Sequence, residues 1–125
     1  MNSKQVVENF WDLMATNDFY AAALILHDRY TLEWPQSGEV IRGRDNFAAI
    51  NTNYPAQDKW RFTINQIVAE GDTVVTDVSV TDGSIQGRAI TFSTVRDGKI
   101  LKQIEFWPEA FEAPEWRRQW VEFTK

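Results

Sequence analysis

Only a few side chains in this 125-residue sequence have both the type and the setting for chemistry. Glu33 stands between Leu32 and Trp34. A carboxylate held among apolar groups has its pKa pushed up and can act as a general base or acid. The plainer alternative is an exposed carboxylate on an edge strand, paired to Arg42 or Arg44. His27 is the only histidine and is followed by Asp28. An imidazole carries protons near neutral pH, although at the end of a helix it can simply complement the dipole. Glu105 and Glu109 flank the aromatic end of a strand. If Ile104 and Phe106 point inward, Glu105 points out, which leaves Glu109 as the better candidate of the two. Tyr20 and Tyr30 offer hydroxyl donors of the kind that polarise a carbonyl oxygen.

Composition removes several classes of function. With no Cys there is no thiol nucleophile, disulfide or thiolate metal site. One His and no visible ligand spacing lead to the expectation of no metal, and the scattered glycines form no phosphate loop, so no cofactor is expected. No serine sits in a nucleophile-elbow context. The net charge is −5, and the only basic pair is Arg117-Arg118 among acidic and Trp residues. Nucleic acid and anionic membrane surfaces are therefore not expected partners. No apolar run approaches the roughly 20 residues of a membrane span, and no charged segment plus apolar run marks a secretory signal, so a cytoplasmic address is expected. Six Trp and eight Phe in so short a chain call for a core of wide rings or a cavity lined by them.

The elements that would position these groups read as follows. Val6, Val7, Phe10, Trp11 and Met14 recur at helical spacing after a cap at Asn2 or Ser3. Asn17-Asp18 interrupts, and a shorter helix with Phe19, Ala22, Ala23 and Leu26 inward follows, ending at His27. Tyr30 to Trp34 and Glu39 to Arg42 form a short strand pair around Gln36-Ser37-Gly38. Gly43 opens a third helix that ends before Pro55. From Lys59 the pattern changes to long strands, with a phase slip before Ile67 that predicts a bulge. Val74, Thr76, Val78 and Val80 alternate to one side, and the Asp82-Gly83 and Asp97-Gly98 turns join the strands into an antiparallel meander. A final helical turn or two, with Trp116, Trp120 and Phe123 on one face, falls within 114–123. Helices followed by a long bent meander predict a single α+β domain over 1–125, with a gap between helices and concave face as the ligand site.

This order of elements resembles the nuclear transport factor 2-like superfamily, in its SnoaL-like, polyketide cyclase-like branch. The residues that carry the likeness are Gly43-Arg44-Asp45-Asn46-Phe47, Asp97-Gly98-Lys99-Ile100 and Gln103-Ile104-Glu105-Phe106-Trp107-Pro108. The resemblance implies a cone-shaped fold, with N-terminal helices packed in the concave face of a strongly curved, mainly antiparallel sheet. Members include cyclases, isomerases, epoxide hydrolases, dehydratases and non-enzymatic carriers. The acid that the cyclases and epoxide hydrolases place after two aromatics is Pro108 here, with Glu109 one residue on. The Arg and Asp of the epoxide hydrolases correspond to Val78 and Val80, and the polar pair on the first short strand to Thr31 and Glu33.

The resulting expectation is an apolar pocket for a small apolar or amphipathic organic molecule, in a cofactor-independent isomerase, cyclase or dehydratase working by proton transfer. Glu33 would be the base, with His27 or a tyrosine polarising a carbonyl. Trp11, Tyr20, Tyr30, Thr31, Trp34, Val78, Val80, Phe106 and Glu109 would contact the ligand. The alternative, favoured by the missing acid, is a non-catalytic binding or dimerisation module. Both faces of the meander carry apolar residues, which leads to the expectation of a homodimer through the outer face.

Overall fold

A computed structural model describes residues 1–124. Helix α1 (Ser3–Ala15) begins at a reciprocal cap, in which the Asn2 side chain accepts from the Gln5 backbone N–H and the Gln5 side chain accepts from the Asn2 N–H. Its apolar stripe of Val6, Val7, Phe10, Trp11 and Met14 is fully buried. The chain leaves α1 through Asn17, whose positive φ of 63° lets the backbone reverse. The Asn17 side chain then bonds both the N–H and the C=O of Trp60, at 2.8 Å each, tying the helix end to the far sheet edge. Helix α2 (Phe19–Ala22), capped by Asp18, runs into a 3₁₀ turn (Ala23–Ile25).

Strand β1 (Leu26–Trp34) and strand β2 (Glu39–Arg42) form the first hairpin, and helix α3 (Arg44–Asn53) follows. Strands β3 (Arg61–Glu70), β4 (Thr73–Thr81), β5 (Gln86–Arg96) and β6 (Lys99–Phe106) make the meander. A 3₁₀ helix (Glu115–Trp120) lies in the C-terminal stretch. The six strands form one curved, unclosed sheet in the order β2-β1-β6-β5-β4-β3, antiparallel except where β1 runs parallel to β6. Helix α1 packs across β3 to β6 and α3 covers β1 and β2, so the helices occupy the concave side. No helix among the described residues is long and apolar enough to cross a membrane.

The expected bulge in β3 is present, with the register shifting between Ile64 and Gln66. The second helix is shorter than its sequence pattern. Its residues from Leu26 onward belong to β1, because Leu26 pairs with Ile100 of β6. His27 therefore lies in a strand rather than at a helix terminus.

The β4–β5 connection is held by a buried side chain. The Asp82 carboxylate accepts from the backbone N–H groups of Gln57, Ser84 and Ile85 at 2.8–2.9 Å, and from the Ser84 hydroxyl. These donors hold its pKa well below the usual carboxylate range. A lowered folded pKa means the stabilisation is present above the ordinary Asp value and is lost as pH falls through the folded value. Asp82→Ala is expected to lower the melting temperature at neutral pH and to blunt the acid limb of the stability curve. Thermal denaturation across pH 2–7 checks it, and an unchanged melting temperature would contradict it.

Candidate functional site

The concave face is not uniformly apolar. Reading across neighbouring strands, Thr76 of β4, Thr91 of β5 and Glu105 of β6 lie in one row. The next row holds Val74, Ser93, Gln103 and, on β1, Leu32. All point toward the helices, and the polar members are buried. Over these rows opens a cavity of about 1000 Å³. Its walls are aromatic: Phe10 and Trp11 from α1, Trp34 from β1, Phe47 from α3, Trp60 and Phe62 at the start of β3, and Trp107 beyond β6. Trp11 stacks obliquely on Phe62 at 5.5 Å and meets Phe10 edge-on at 5.2 Å, so the wall is packed.

Three glutamates line the cavity, and Glu105 is the buried one, Glu39 and Glu109 being exposed at its rim. Glu105 is 8% exposed. Its Oε1 accepts from the indole N–H groups of Trp34 at 3.0 Å and Trp107 at 3.1 Å, and its Oε2 accepts from the Thr91 hydroxyl at 2.6 Å. Among the described residues no Lys, Arg or His is ion-paired with it. Burial raises its pKa above the ordinary glutamate range, and the hydrogen bonds from Thr91, Trp34 and Trp107 offset only part of the rise. Indole N–H groups donate and cannot accept, so both lone pairs of Oε1 are committed. The proton of the acid form therefore belongs on Oε2, with the Thr91 hydroxyl rotating to receive it. Thr91→Val, close in shape, removes a donor to the charged form and is expected to raise the Glu105 pKa further. Carboxyl-carbon NMR titration of the variant checks this, and a lowered value would contradict it.

Two arrangements position Trp107. The Gln36 side chain, in the β1–β2 turn, donates to the Trp107 carbonyl at 3.1 Å and accepts from its N–H at 2.6 Å. The Trp107 ring lies over Gly87, where an added Cβ would approach it to 3.4 Å. Gln103, two residues before Glu105 on the same face, is equally constrained. Tyr30 donates to its Oε1 at 2.5 Å, and its Nε2 donates to Ser93 Oγ at 3.1 Å. One Nε2–H remains uncommitted on a side chain that lines the cavity. Burial raises the Tyr30 pKa well above its ordinary value, with the Glu105 charge adding to the rise, so the phenol stays a fixed donor. Among the described residues two buried side-chain polar atoms have no partner, Trp11 Nε1 and Thr76 Oγ1.

The register corrects several expectations from the sequence. Glu33 alternates out of the concave face and its carboxylate lies 3.4 Å from Lys102 Nζ on the convex side, so it does not line the cavity. Thr31 alternates outward with it. His27 is at the opposite end of β1, where its Nδ1 accepts from the Arg29 N–H and its Nε2 lies 3.8 Å from Asp97. Tyr20 is exposed on the surface. Phe106 is on the convex side and meets Phe92 edge-on at 6.3 Å. Tyr30 and Val78 are buried in the layer beneath the cavity, while Trp11, Trp34, Val80 and Glu109 are part of its wall or rim. Glu105 would point outward only if Ile104 and Phe106 pointed inward, and both share the convex side with Phe92. The pairing of β5 with β6 shifts between Thr94 and Val95, so Ile100 is inward and then Gln103 and Glu105 are. The signal available in the sequence was the shared parity of Gln103, Glu105 and Trp107.

Comparison with known proteins agrees with the fold. Residues 7–103 match the family model described as the SnoaL-like domain. The chain belongs to that family. A solved structure from Kribbella flavida DSM 17836, provisionally assigned as a ketosteroid isomerase, is similar with a TM-score of 0.89 and 28% identity, covering 98% of this chain and 90% of that one. A nuclear transport factor 2-like protein of unknown function from Burkholderia xenovorans LB400 has a TM-score of 0.79 and 29% identity, over 98% and 95% of the two chains. A protein from Shewanella denitrificans OS-217, provisionally assigned as a SnoaL-like polyketide cyclase, shares the fold at 11% identity, with a TM-score of 0.71 over 85% and 90%. None of the curated proteins matches the chain in sequence.

Proposed function

We propose that this protein is a cofactor-independent proton-transfer catalyst acting on a small, largely apolar carbonyl compound, in an isomerase, cyclase or dehydratase reaction. Glu105 is the proton carrier and Gln103 the donor to the carbonyl oxygen. The observation that carries the reading is a buried carboxylate with a raised pKa and no cationic partner, set in the wall of an aromatic cavity. The relatives assigned as an isomerase and a cyclase belong to reaction types of the same kind.

In the proposed step the Glu105 carboxylate takes a proton from the carbon next to the carbonyl. The C–H electron pair becomes a C=C bond and negative charge gathers on the carbonyl oxygen. The uncommitted Nε2–H of Gln103 donates to that oxygen, held in place by Tyr30 and Ser93 so that little reorganisation is needed. Returning the proton from Glu105 to a different carbon completes an isomerisation; attack of the enolate carbon on a second carbonyl closes a ring, with the new alkoxide taking the proton from Glu105; and loss of a hydroxyl from the carbon next to the enolate carbon, protonated by Glu105 so that it leaves as water, is a dehydration. No metal or organic cofactor is needed for any of these steps.

A second reading has its own support. Glu105 accepts from Trp34, Thr91 and Trp107, so it also serves as a tie among β1, β5 and the end of β6. On that reading the chain is a binding module without catalysis. The proposal also includes a cytoplasmic setting and a homodimer through the convex face, where Phe92 and Phe106 are exposed. The test is hydrogen exchange at the carbon next to the carbonyl of a cyclic ketone in D₂O, alongside native mass spectrometry for copurifying small molecules. Accelerated exchange supports catalysis. A copurified carbonyl compound with no exchange on it supports the binding module.

A further inference from the structure

One hydroxyl in the buried polar row differs from its neighbours. Thr76 and Thr91 are both 0% exposed. Thr76 of β4 is the direct cross-strand partner of Thr91 of β5, and Thr91 is that of Glu105 of β6. The three side chains therefore stand abreast on the concave side, with Thr91 in the middle. The Thr91 hydroxyl donates to Glu105 Oε2 at 2.6 Å, whereas Thr76 Oγ1 has no hydrogen-bond partner among the described residues. A buried hydroxyl left unpaired is destabilising, and Val would fill nearly the same space without that cost. A neighbour that needs the Thr76 oxygen in only one of two states accounts for its presence.

We infer that Thr76 is a positioning residue for the proton on Glu105: its Oγ1 accepts the Thr91 hydroxyl hydrogen whenever Glu105 is in the acid form. The inference rests on the reading of Glu105 as the proton carrier and concerns how its two states are held. A hydroxyl has one hydrogen to donate. With Glu105 charged, Thr91 donates it to Oε2. With Glu105 protonated on Oε2, the acid O–H points at the Thr91 oxygen, and the Thr91 hydrogen must turn away. Glu105 lies on the β6 side of Thr91, so turning away means turning toward β4, where Thr76 Oγ1 is the unpartnered acceptor. Directly opposed strand residues have Cβ atoms about 4.5–5.5 Å apart, close enough for a Thr–Thr hydrogen bond after a change of rotamer. The titratable groups that share the cavity or its floor with Glu105 are Tyr30 on β1, Glu39 on β2, Tyr54 after α3, Arg88 on β5 and Glu109 beyond β6, while α1 contributes only Phe10, Trp11 and Met14. Tyr30 donates to Gln103 and Arg88 is bonded to Asp77, so neither competes for the Thr91 hydrogen. A proton carrier visits both states in every turnover, and Thr76 keeps the acid state as well satisfied as Thr91 keeps the charged one.

The experiment titrates the Glu105 carboxyl carbon by NMR in the full chain, as wild type and with Thr76→Val, Thr76→Ser, Thr91→Val and Thr76→Val/Thr91→Val. Far-UV circular dichroism checks that each variant is folded. Thr76→Val removes a partner of the acid form alone, so the Glu105 pKa is expected to fall by about half a unit to one unit, the effect of one neutral hydrogen bond made in a single protonation state. This is opposite in sign to the rise expected for Thr91→Val. Thr76→Ser keeps the accepting oxygen and is expected to hold the wild-type value. Adding Thr76→Val to Thr91→Val is expected to shift nothing, because no hydrogen remains to be accepted. A purely structural Thr76 would not separate Val from Ser, nor lose its effect when Thr91 is absent. A raised pKa in Thr76→Val overturns the inference, since it means that Thr76 donates to Thr91 in the charged form. A wild-type pKa above the ordinary glutamate range that Thr76→Val leaves unmoved overturns the inference alone. A wild-type pKa within that range overturns the proton-carrier reading and the inference with it.

Discussion

Glu105→Gln is expected to slow hydrogen exchange at the carbon next to a ketone carbonyl by about 10²–10⁴-fold, the usual contribution of a general base, without weakening ligand binding. The fold should persist because the amide reproduces the neutral acid. Its oxygen accepts from Trp34 and Trp107, and its NH₂ donates to Thr91, whose hydroxyl can accept. The same variant should change the pH dependence of stability. A raised folded pKa means the stabilisation is complete below the unfolded value and is lost as pH rises through the folded one, at about 1.4 kcal/mol per unit of separation. The Gln variant lacks this loss, so its melting temperature should hold steady over the window in which the wild type falls. Equal exchange rates in the two proteins would remove Glu105 from catalysis and leave the binding module.

Tyr30→Phe is expected to act at a distance from any ligand. It leaves the buried Oε1 of Gln103 without its donor, at a cost of about 1–3 kcal/mol, and allows the amide to turn away from the position Ser93 and Tyr30 define. Exchange should fall by about tenfold, the effect of losing roughly 1.4 kcal/mol from a preorganised donor, while ligand affinity changes little. Chemical denaturation and exchange measured on the same preparations check the two effects. A variant with reduced stability and unchanged exchange would restrict Tyr30 and Gln103 to a structural role.

The fold was legible in the sequence because local signals and long-range pattern agree. The α1 stripe, the Asp82-Gly83 and Asp97-Gly98 turns and the clean alternation of Val74 to Val80 each specify an element, and their order specifies the sheet. The site was less legible for a definable reason. Strand period is two, so one inserted residue reverses every later side chain. The slip in β3 was visible because its apolar phase changes at Ile67. The slip in β6 was hidden, because Ile100, Leu101, Ile104 and Phe106 are apolar on both parities. That concealed Glu105 and Gln103. Glu33 attracted attention because its neighbours are apolar, but those neighbours are the inward residues and Glu33 alternates with them. Lys102, which pairs with it, comes from β6, a partner strand that sequence order alone does not bring beside β1. The polar row Thr76–Thr91–Glu105 is likewise a property of register across three strands.

The central claim is that Glu105 holds a proton more tightly than a free carboxylate because it is buried in the cavity wall without a cation. Titrating its carboxyl carbon by NMR in the ligand-free protein, with the Gln variant identifying the resonance, measures this directly. The account predicts a single transition above the ordinary glutamate range that moves higher in Thr91→Val. A transition at or below the ordinary value would mean that the two indoles and the Thr91 hydroxyl dominate over burial, making Glu105 a permanently charged structural acceptor rather than a proton carrier.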